Sequence, residues 1–340
     1  MRLAGRVETP YLDSTILQGN YPADPVVRML PIYLPPSYDH TSSRRFPVIY
    51  LLAGHGGSGP FLLARRPWEE SVPERIDRLI RSGVMDEVIC VLPDCWTVFG
   101  GSQYLNSTAL GDYESYLSEE IISYVDANYR TVPQASHRAI VGKSSGGYGA
   151  MVQSMRHPDL WGAVASHSGD IYFEFGYLPD VATLHANLHR FGGIDRFIEA
   201  IPTIKPRVHQ PFYSVLGMLC YSAAYSPNPS AHRGFDLPID SDTGALNGEV
   251  WERWLAWDPL RLLNDPCHID AWRGLSYLYI DCGNWDELNF NVGTRVLAHK
   301  LERLGIEADV EFFDDGHLDV SYRLDISLPR LAQAVSQHRP

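Results

Sequence analysis

Gly142-Lys143-Ser144-Ser145-Gly146 has the residue types and spacing of a serine nucleophile held on a tight turn. The strand-like run Arg138-Ala-Ile-Val141 precedes it, and the small-residue run Tyr148-Gly-Ala-Met-Val152 reads as the start of a helix. A G-x-S-x-G between strand and helix makes a turn too tight for side chains at its flanks, so glycine is required there. The turn lifts the Ser144 hydroxyl clear of the sheet edge, at the positive end of the following helix. An ordinary strand-to-helix turn can carry the same five residues, so the reading depends on partners elsewhere in the chain.

Serine is a weak nucleophile unless a histidine takes its proton, and that histidine needs an acid to fix its tautomer. On an elbow of this kind the chain order is serine, then Asp or Glu, then histidine. Leu275-Ser-Tyr-Leu-Tyr-Ile280 reads as a buried strand and runs into the polar loop Asp281-Cys-Gly-Asn-Trp-Asp286-Glu287. Ala308-Asp-Val-Glu-Phe-Phe313 alternates like a further strand and ends in Asp314-Asp315-Gly316-His317. An acid loop and a Gly-His therefore follow the last two strands, where the order places them. Among 13 histidines, His317 stands out because position, neighbours and order agree. His185 and His189 are four apart, as zinc ligands on a helix are, but lack the glutamate of H-E-x-x-H and read as surface or cap residues.

The tetrahedral intermediate of such a reaction needs backbone donors. The apolar run Pro47-Val-Ile-Tyr-Leu-Leu52 leads into Ala53-Gly54-His55-Gly56-Gly57-Ser58-Gly59. The expected donors are the N–H of Ser145 and one from around His55, within Gly54-His55-Gly56, each worth about 3–4 kcal/mol in hydrolases that use them. No Gly-Lys-Ser/Thr follows, so the turn is not a phosphate cradle.

A chain of 340 residues, 45% hydrophobic and 20% charged, can build one large α/β domain or two ordinary ones. Its net charge of −13 argues against a nucleic-acid surface. Met1-Arg-Leu-Ala-Gly-Arg lacks the apolar core of a signal peptide, and no run approaches about 18 apolar residues, so no membrane association is expected. Cys90, Cys95, Cys220, Cys267 and Cys282 are scattered, without C-x-x-C spacing. They read as reduced thiols of a cytoplasmic protein, with no metal site.

Strand signals recur at Val26–Leu34, Val48–Leu52, Val88–Leu92, Arg138–Val141, Gly162–Ser166, Leu275–Ile280 and Val310–Phe313. Helical spacing marks Tyr113–Tyr129 and Thr294–Leu304, the latter stopped by Gly305. This alternation predicts an α/β fold: a mostly parallel central sheet with helices on both faces. From about Ile171 to Asp265 the pattern breaks into a stretch rich in Pro, His and aromatics, among them Tyr172, Phe173, Phe175, Tyr177, Tyr213, Tyr221 and Trp254. It reads as a cap before the acid-bearing strand, with most aromatics forming its own core and a few facing the site. The expected division is 1–170 and 266–340 for the core and 171–265 for the cap.

Together these segments resemble the esterase D-like family of α/β-hydrolases, which includes S-formylglutathione hydrolases, enterochelin esterases, feruloyl esterases and mycolyltransferases. The likeness runs from about Arg28 to Arg323, outside most of the cap. Its marks include Ile32-Tyr-Leu-Pro-Pro-Ser-Tyr38, Tyr50-Leu-Leu-Ala-Gly-His-Gly-Gly57, Leu92-Pro-Asp94, Asp126-Ala-Asn-Tyr-Arg130, Gly142–Gly147, Ser168-Gly169 and Gly316-His317. The resemblance implies the α/β-hydrolase fold, with Ser144 as nucleophile, Asp286 as acid and His317 as base. It favours Asp286 over Asp281 because the family's acid comes five positions after the aspartate that ends the strand. Placement agrees, since Asp281 sits at a strand end before Gly283 and Asp286 lies out on the loop. Relatives commonly carry His-Gly in the oxyanion turn, where this chain has Ala53-Gly54.

The expected activity is that of a serine carboxylesterase acting on small short-acyl or aryl esters through an acyl-enzyme, with no cofactor. A siderophore esterase of the enterochelin type, an S-formylglutathione-type thioesterase and a catalytically silent binding module are the alternatives. An intact serine, acid and histidine set argues against silence. The expected partner is a small-molecule ester, with a homodimer as the assembly to consider.

Overall fold

Runs of apolar and β-branched residues separated by polar turns pair, among the described residues, into one eight-stranded sheet. The structure is a computed structural model that describes residues 3–20, 23–204 and 210–336. Met1 and Arg2 of the N-terminal segment and residues 205–209 of the expected cap lie outside the described residues. The strands are β1 (Arg6–Glu8), β2 (Ile32–Leu34), β3 (Val48–Leu52), β4 (Ile89–Val91), β5 (Arg138–Lys143), β6 (Ala163–His167), β7 (Tyr277–Gly283) and β8 (Asp309–Phe313). Their spatial order is β1-β2-β4-β3-β5-β6-β7-β8. β2 runs against both β1 and β4, and the remaining pairs are parallel. This is the mostly parallel α/β-hydrolase sheet that was expected.

Side chains alternate across the strands and fill two cores. Tyr50, Leu52, Ile140 and Val164 face one core; Ile49, Leu51, Ala139, Val141, Ala163 and Ala165 face the other. The principal helices are α1 (Val72–Arg81), α2 (Ser145–Arg156), α3 (Leu178–Arg190), α4 (Gln210–Tyr225), α5 (Phe290–Leu304) and α6 (Leu324–Ser336). α2 covers the first core with Tyr148, Met151 and Val152. α1 and α6 cover the second with Ile76, Leu79, Leu328 and Leu331. Ser71 and Glu74 close a capping box at the start of α1, satisfying N–H groups the helix cannot bond itself. Gly305 ends α5 at φ +64°, as the sequence signal indicated.

Three expectations need correction. The run Val26–Leu34 is two strands: Val27–Met29 pairs with Tyr11–Asp13 in a small separate sheet, and only Ile32–Leu34 joins the main one. Pro31 lies between them and has no N–H to continue a ladder. The helix expected over Tyr113–Tyr129 ends at Asn128 and contains a wide turn over Tyr116–Ile121. The acid-bearing strand does not end at Ile280 but continues to Gly283, so Asp281 lies inside it.

Asp281 is held there by a buried network. His167 Nδ1 lies 2.8 Å from Asp281 Oδ1, and His167 Nε2 lies 2.8 Å from the Ser327 hydroxyl on α6. Asp281 Oδ2 accepts from Arg323 Nε at 2.8 Å and from the Tyr279 hydroxyl at 2.9 Å. All five side chains are buried. Burial pushes the Asp281 carboxyl up, but hydrogen bonds and charge from His167 and Arg323 carry it below the ordinary carboxylate value.

Removing that carboxylate takes the anion from a buried imidazole and from Arg323 Nε, leaving the guanidinium with Glu311 at 2.8 Å as its remaining carboxylate. Asp281→Asn is expected to destabilise the fold by about 3–5 kcal/mol, read as a lower Tm in thermal denaturation at neutral pH. The unfolded carboxyl titrates near about 3.9 and the folded one lower, so this stabilisation is complete above that value and lost as pH falls through the folded one. The Tm gap between wild type and variant should therefore narrow below about pH 4. A gap independent of pH would mean that Asp281 acts through packing alone.

Candidate active site

Three backbone segments meet around Ser144. A Cβ on Gly142 would lie 2.3 Å from the Gly146 carbonyl carbon, and one on Gly146 would lie 2.4 Å from the Leu52 carbonyl oxygen. Only glycine fits either position. Between them Ser144 adopts φ +56° and ψ −127°, a conformation non-glycine residues rarely take. Its N–H donates to His167 O at 2.9 Å, and its C=O accepts from Tyr148 N–H at 2.8 Å. The strained turn is thus clamped from β6 and from α2.

Ser144 Oγ lies 3.0 Å from His317 Nε2, and His317 Nδ1 lies 2.8 Å from Asp286 Oδ2. The other Asp286 oxygen accepts the N–H of Leu288 at 2.9 Å and of Phe290 at 3.4 Å. Burial pushes the Asp286 carboxyl up, but His317 and these N–H groups bring it below the ordinary carboxylate value. An ionised Asp286 accepts a proton-bearing Nδ1, which leaves Nε2 as the acceptor facing Ser144. Glu287 accepts the His317 backbone N–H at 2.6 Å and so holds the histidine loop against the acid loop. Asp281 takes no part in this set; its contacts lie toward α6.

The glycine turn after β3 faces the same serine. A Cβ on Gly54 would lie 3.4 Å from Ser144 Cβ. Gly56 N–H donates to Gly100 O at 2.7 Å and Gly57 N–H to Gly54 O at 3.0 Å. Gly56, expected among the oxyanion residues, therefore cannot be a donor there, because its N–H is committed to shaping the turn. Gly54 and His55 make no backbone N–H hydrogen bond among the described residues. Ser145 opens α2, so its N–H has no intrahelical acceptor. The His55 ring is buried against Gly100, Gly101 and Tyr221, and burial pushes it down to about 4, so it is neutral. The Tyr104 hydroxyl donates to Ala53 O at 2.6 Å and braces the turn.

The sequence reading missed Asp170, a fully buried carboxylate beside the nucleophile. Its Oδ1 lies 3.4 Å from Ser144 Oγ. Its Oδ2 accepts from Tyr177 at 2.7 Å, Ser145 Oγ at 3.1 Å and Gln103 Nε2 at 3.2 Å. Burial raises its carboxyl above the ordinary value despite these donors. The Ser168-Gly169 mark ends one residue before it; an acid there with tyrosines downstream was the available signal.

Beside the elbow, on the α1/α6 side of the sheet, lies a cavity of about 480 Å³. Its walls include the turn 53–57, Lys143, Val72, Arg75, Leu318 and Tyr213 of α4. Of the aromatics between Ile171 and Asp265, Phe173, Tyr177, Phe212, Tyr225 and Trp254 are buried in the same core that α2 covers and not in a core of their own, whereas Tyr213 reaches this cavity.

A family model described as putative esterase matches residues 28–324. An uncharacterised protein of Bacillus subtilis, YbbA, is 28% identical over 157 residues, covering 43% of this chain and 58% of that protein. Esterase Rv1288 of Mycobacterium tuberculosis is 28% identical over 174 residues, covering 48% of this chain and 34% of that protein. The matched part thus spans about half or less of these curated relatives. A solved ferulic acid esterase superposes with a TM-score of 0.64 at 21% identity, covering 98% of this chain and 100% of that one. Among the described residues no helix is long and apolar enough to cross a membrane.

Asp286→Asn, which reverses the tautomer that suits Ser144, is expected to lower kcat about 10⁴-fold with little change in the fold. Asp281→Asn should instead act mainly on Tm, and the opposite ranking of the two variants would move the acid. Tyr104→Phe should lower kcat with KM nearly unchanged, because the turn it braces faces the intermediate and not the bound ester.

Proposed function

This chain belongs to the putative esterase family, whose model it matches over 28–324, and on that premise we propose that it is a serine carboxylesterase for small short-acyl or aryl esters. The observation that carries the reading is the unbroken hydrogen-bonded line from Asp286 through His317 to Ser144, ending on a strained, outward-turned serine. His317 Nε2 takes the Ser144 proton as Oγ attacks the ester carbonyl. The oxyanion is met by the N–H of Ser145 and by those of Gly54 and His55. Loss of one such donor costs about 10²–10³ in kcat in hydrolases of this type. His317 then gives the proton to the departing alcohol, and the acyl group stays on Ser144 Oγ. Water, deprotonated by the same nitrogen, releases the acid and restores the serine. Asp286 keeps the imidazole oriented and stabilises its charged form throughout.

The preference for small groups rests on the cap. Its aromatics Phe173, Tyr177, Tyr221, Tyr225 and Trp254 form a continuous set of ring contacts that reaches Tyr148 of α2. Such a cap covers the site as an ordered wall. The similar fold of a ferulic acid esterase supports including aryl esters.

With p-nitrophenyl esters of increasing chain length, kcat/KM should be highest for acetyl and butyryl and fall well before about ten carbons. Ser144→Ala should abolish turnover of all of them, by about 10⁶-fold in kcat, while a serine-directed phosphonate labels only the wild type. Tyr213→Ala should shift the chain-length limit upward, whereas truncating Phe173, a core residue, should lower Tm. A wild-type preference for long chains would refute the small-group reading.

A further inference from the structure

Strand alternation sends Lys143 to the same side of the sheet as Ala139 and Val141, the side covered by α1 and α6. The 480 Å³ cavity opens on that side, and Lys143 lines it next to the nucleophile. Every acid of the cavity wall is answered. Glu69 bonds the Ser321 hydroxyl and lies 3.8 Å from Arg66, Glu70 pairs with Arg78 at 2.9 Å, and Asp319 lies 3.5 Å from Arg66. Arg75 is paired in turn with Asp325. Lys143 alone among the lining charges makes no hydrogen bond or ion pair with the described residues. Burial lowers its pKa, partly offset by Asp286 and Asp319, and neither of those carboxylates is a contact partner.

Lys143 is half-buried and its ammonium has no counter-ion on the cavity wall, so an anion arriving from solvent meets an unpaired cation there. The remaining wall is largely apolar, with Leu51, Leu62, Val72, Leu318 and Leu324 among its lining residues. We propose that this cavity is a subsite for an anionic group of the substrate, and that Lys143 pairs with a carboxylate carried on the ester beyond its scissile bond. The specificity is then for acidic esters: a carboxyl-bearing acyl or aryl group whose apolar stem lies along the leucines and whose charge ends at Lys143. A cavity of this volume holds such a group in full, since small-molecule sites commonly start near about 300 Å³. The inference rests on the esterase reading for its chemistry but not for its binding.

Two matched pairs of esters test it. The first is p-nitrophenyl hemisuccinate against its methyl ester, with the charge on the acyl side. The second is 4-carboxyphenyl acetate against its methyl ester, with the charge on the leaving side. After correction for spontaneous hydrolysis, wild type should favour the carboxylate member of one pair by about tenfold in kcat/KM, mostly through KM. Lys143→Gln should collapse that ratio toward one, and Lys143→Arg should restore part of it. Equal handling of both members of both pairs by wild type, or a ratio untouched by Lys143→Gln, would overturn the proposal. Calorimetric titration of succinate and of benzoate into Ser144→Ala separates the two readings. Carboxylate binding that Lys143→Gln removes, alongside a wild type that hydrolyses none of these esters, would sink the esterase reading and leave the anion subsite standing.

Discussion

Backbone crowding where β5, β3 and α2 cross leaves no room for a side chain two residues before Ser144 or two residues after it, and the rest of the site follows from that crowding. Because Gly142 and Gly146 touch backbone, the chain can reverse within one residue, and that residue takes a left-handed conformation that costs of order 1–3 kcal/mol. The cost is sustained because Ser144 is tied by its N–H to β6 and by its C=O to α2. The same reversal aims its hydroxyl at His317 and leaves the first N–H groups of α2 facing the place where negative charge develops. Relaxing the turn would undo the nucleophile's exposure and the donor geometry together.

The fold contains the same three residue types in the same bonded order twice. Ser144, His317 and Asp286 line up at the carboxyl edge of the sheet, and Ser327, His167 and Asp281 line up beneath it with comparable distances. What separates them is setting. Ser327 lies within a regular helix and is fully buried, with Arg323 drawing on the same carboxylate. It has neither a strained turn to expose it nor free N–H groups opposite. Hydrogen-bond geometry is therefore a necessary but weak criterion for a reactive serine, and access with backbone donors decides the matter.

Much of this was legible because it depends on local chemistry. The elbow needs glycines at fixed positions, the strands announce themselves by apolar alternation, and Gly305 stops its helix for the reason glycine usually does. What escaped was long-range. Nothing local says that Asp281 will meet His167 and Arg323, so the strand was ended three residues too soon, before Asp281, Cys282 and Gly283. Pro31 was passed over although it divides one apolar run between two sheets. Asp170 went unassigned because its partners come from Gln103, 67 residues earlier, and from Tyr177, whose buried position no local pattern announces. Tyr104 supports the glycine turn from more than fifty residues away, which no reading of Ala53 could disclose.

The Asp170 cluster has a bearing on how such a protein can change over time. Its carboxylate joins the nucleophile's neighbour Ser145, the core residue Gln103 and the cap residue Tyr177, and Gln103 reaches on to Tyr225 of α4 at 2.7 Å. The cap is consequently stitched to the catalytic floor by a buried charge that needs every donor it has. Exchanging this cap for another would take Tyr177, the shortest of Asp170's bonds, and leave the buried carboxyl with Ser145 and Gln103 alone, so cap and core are constrained to change together, and new substrate ranges are reached by altering the cavity wall residue by residue.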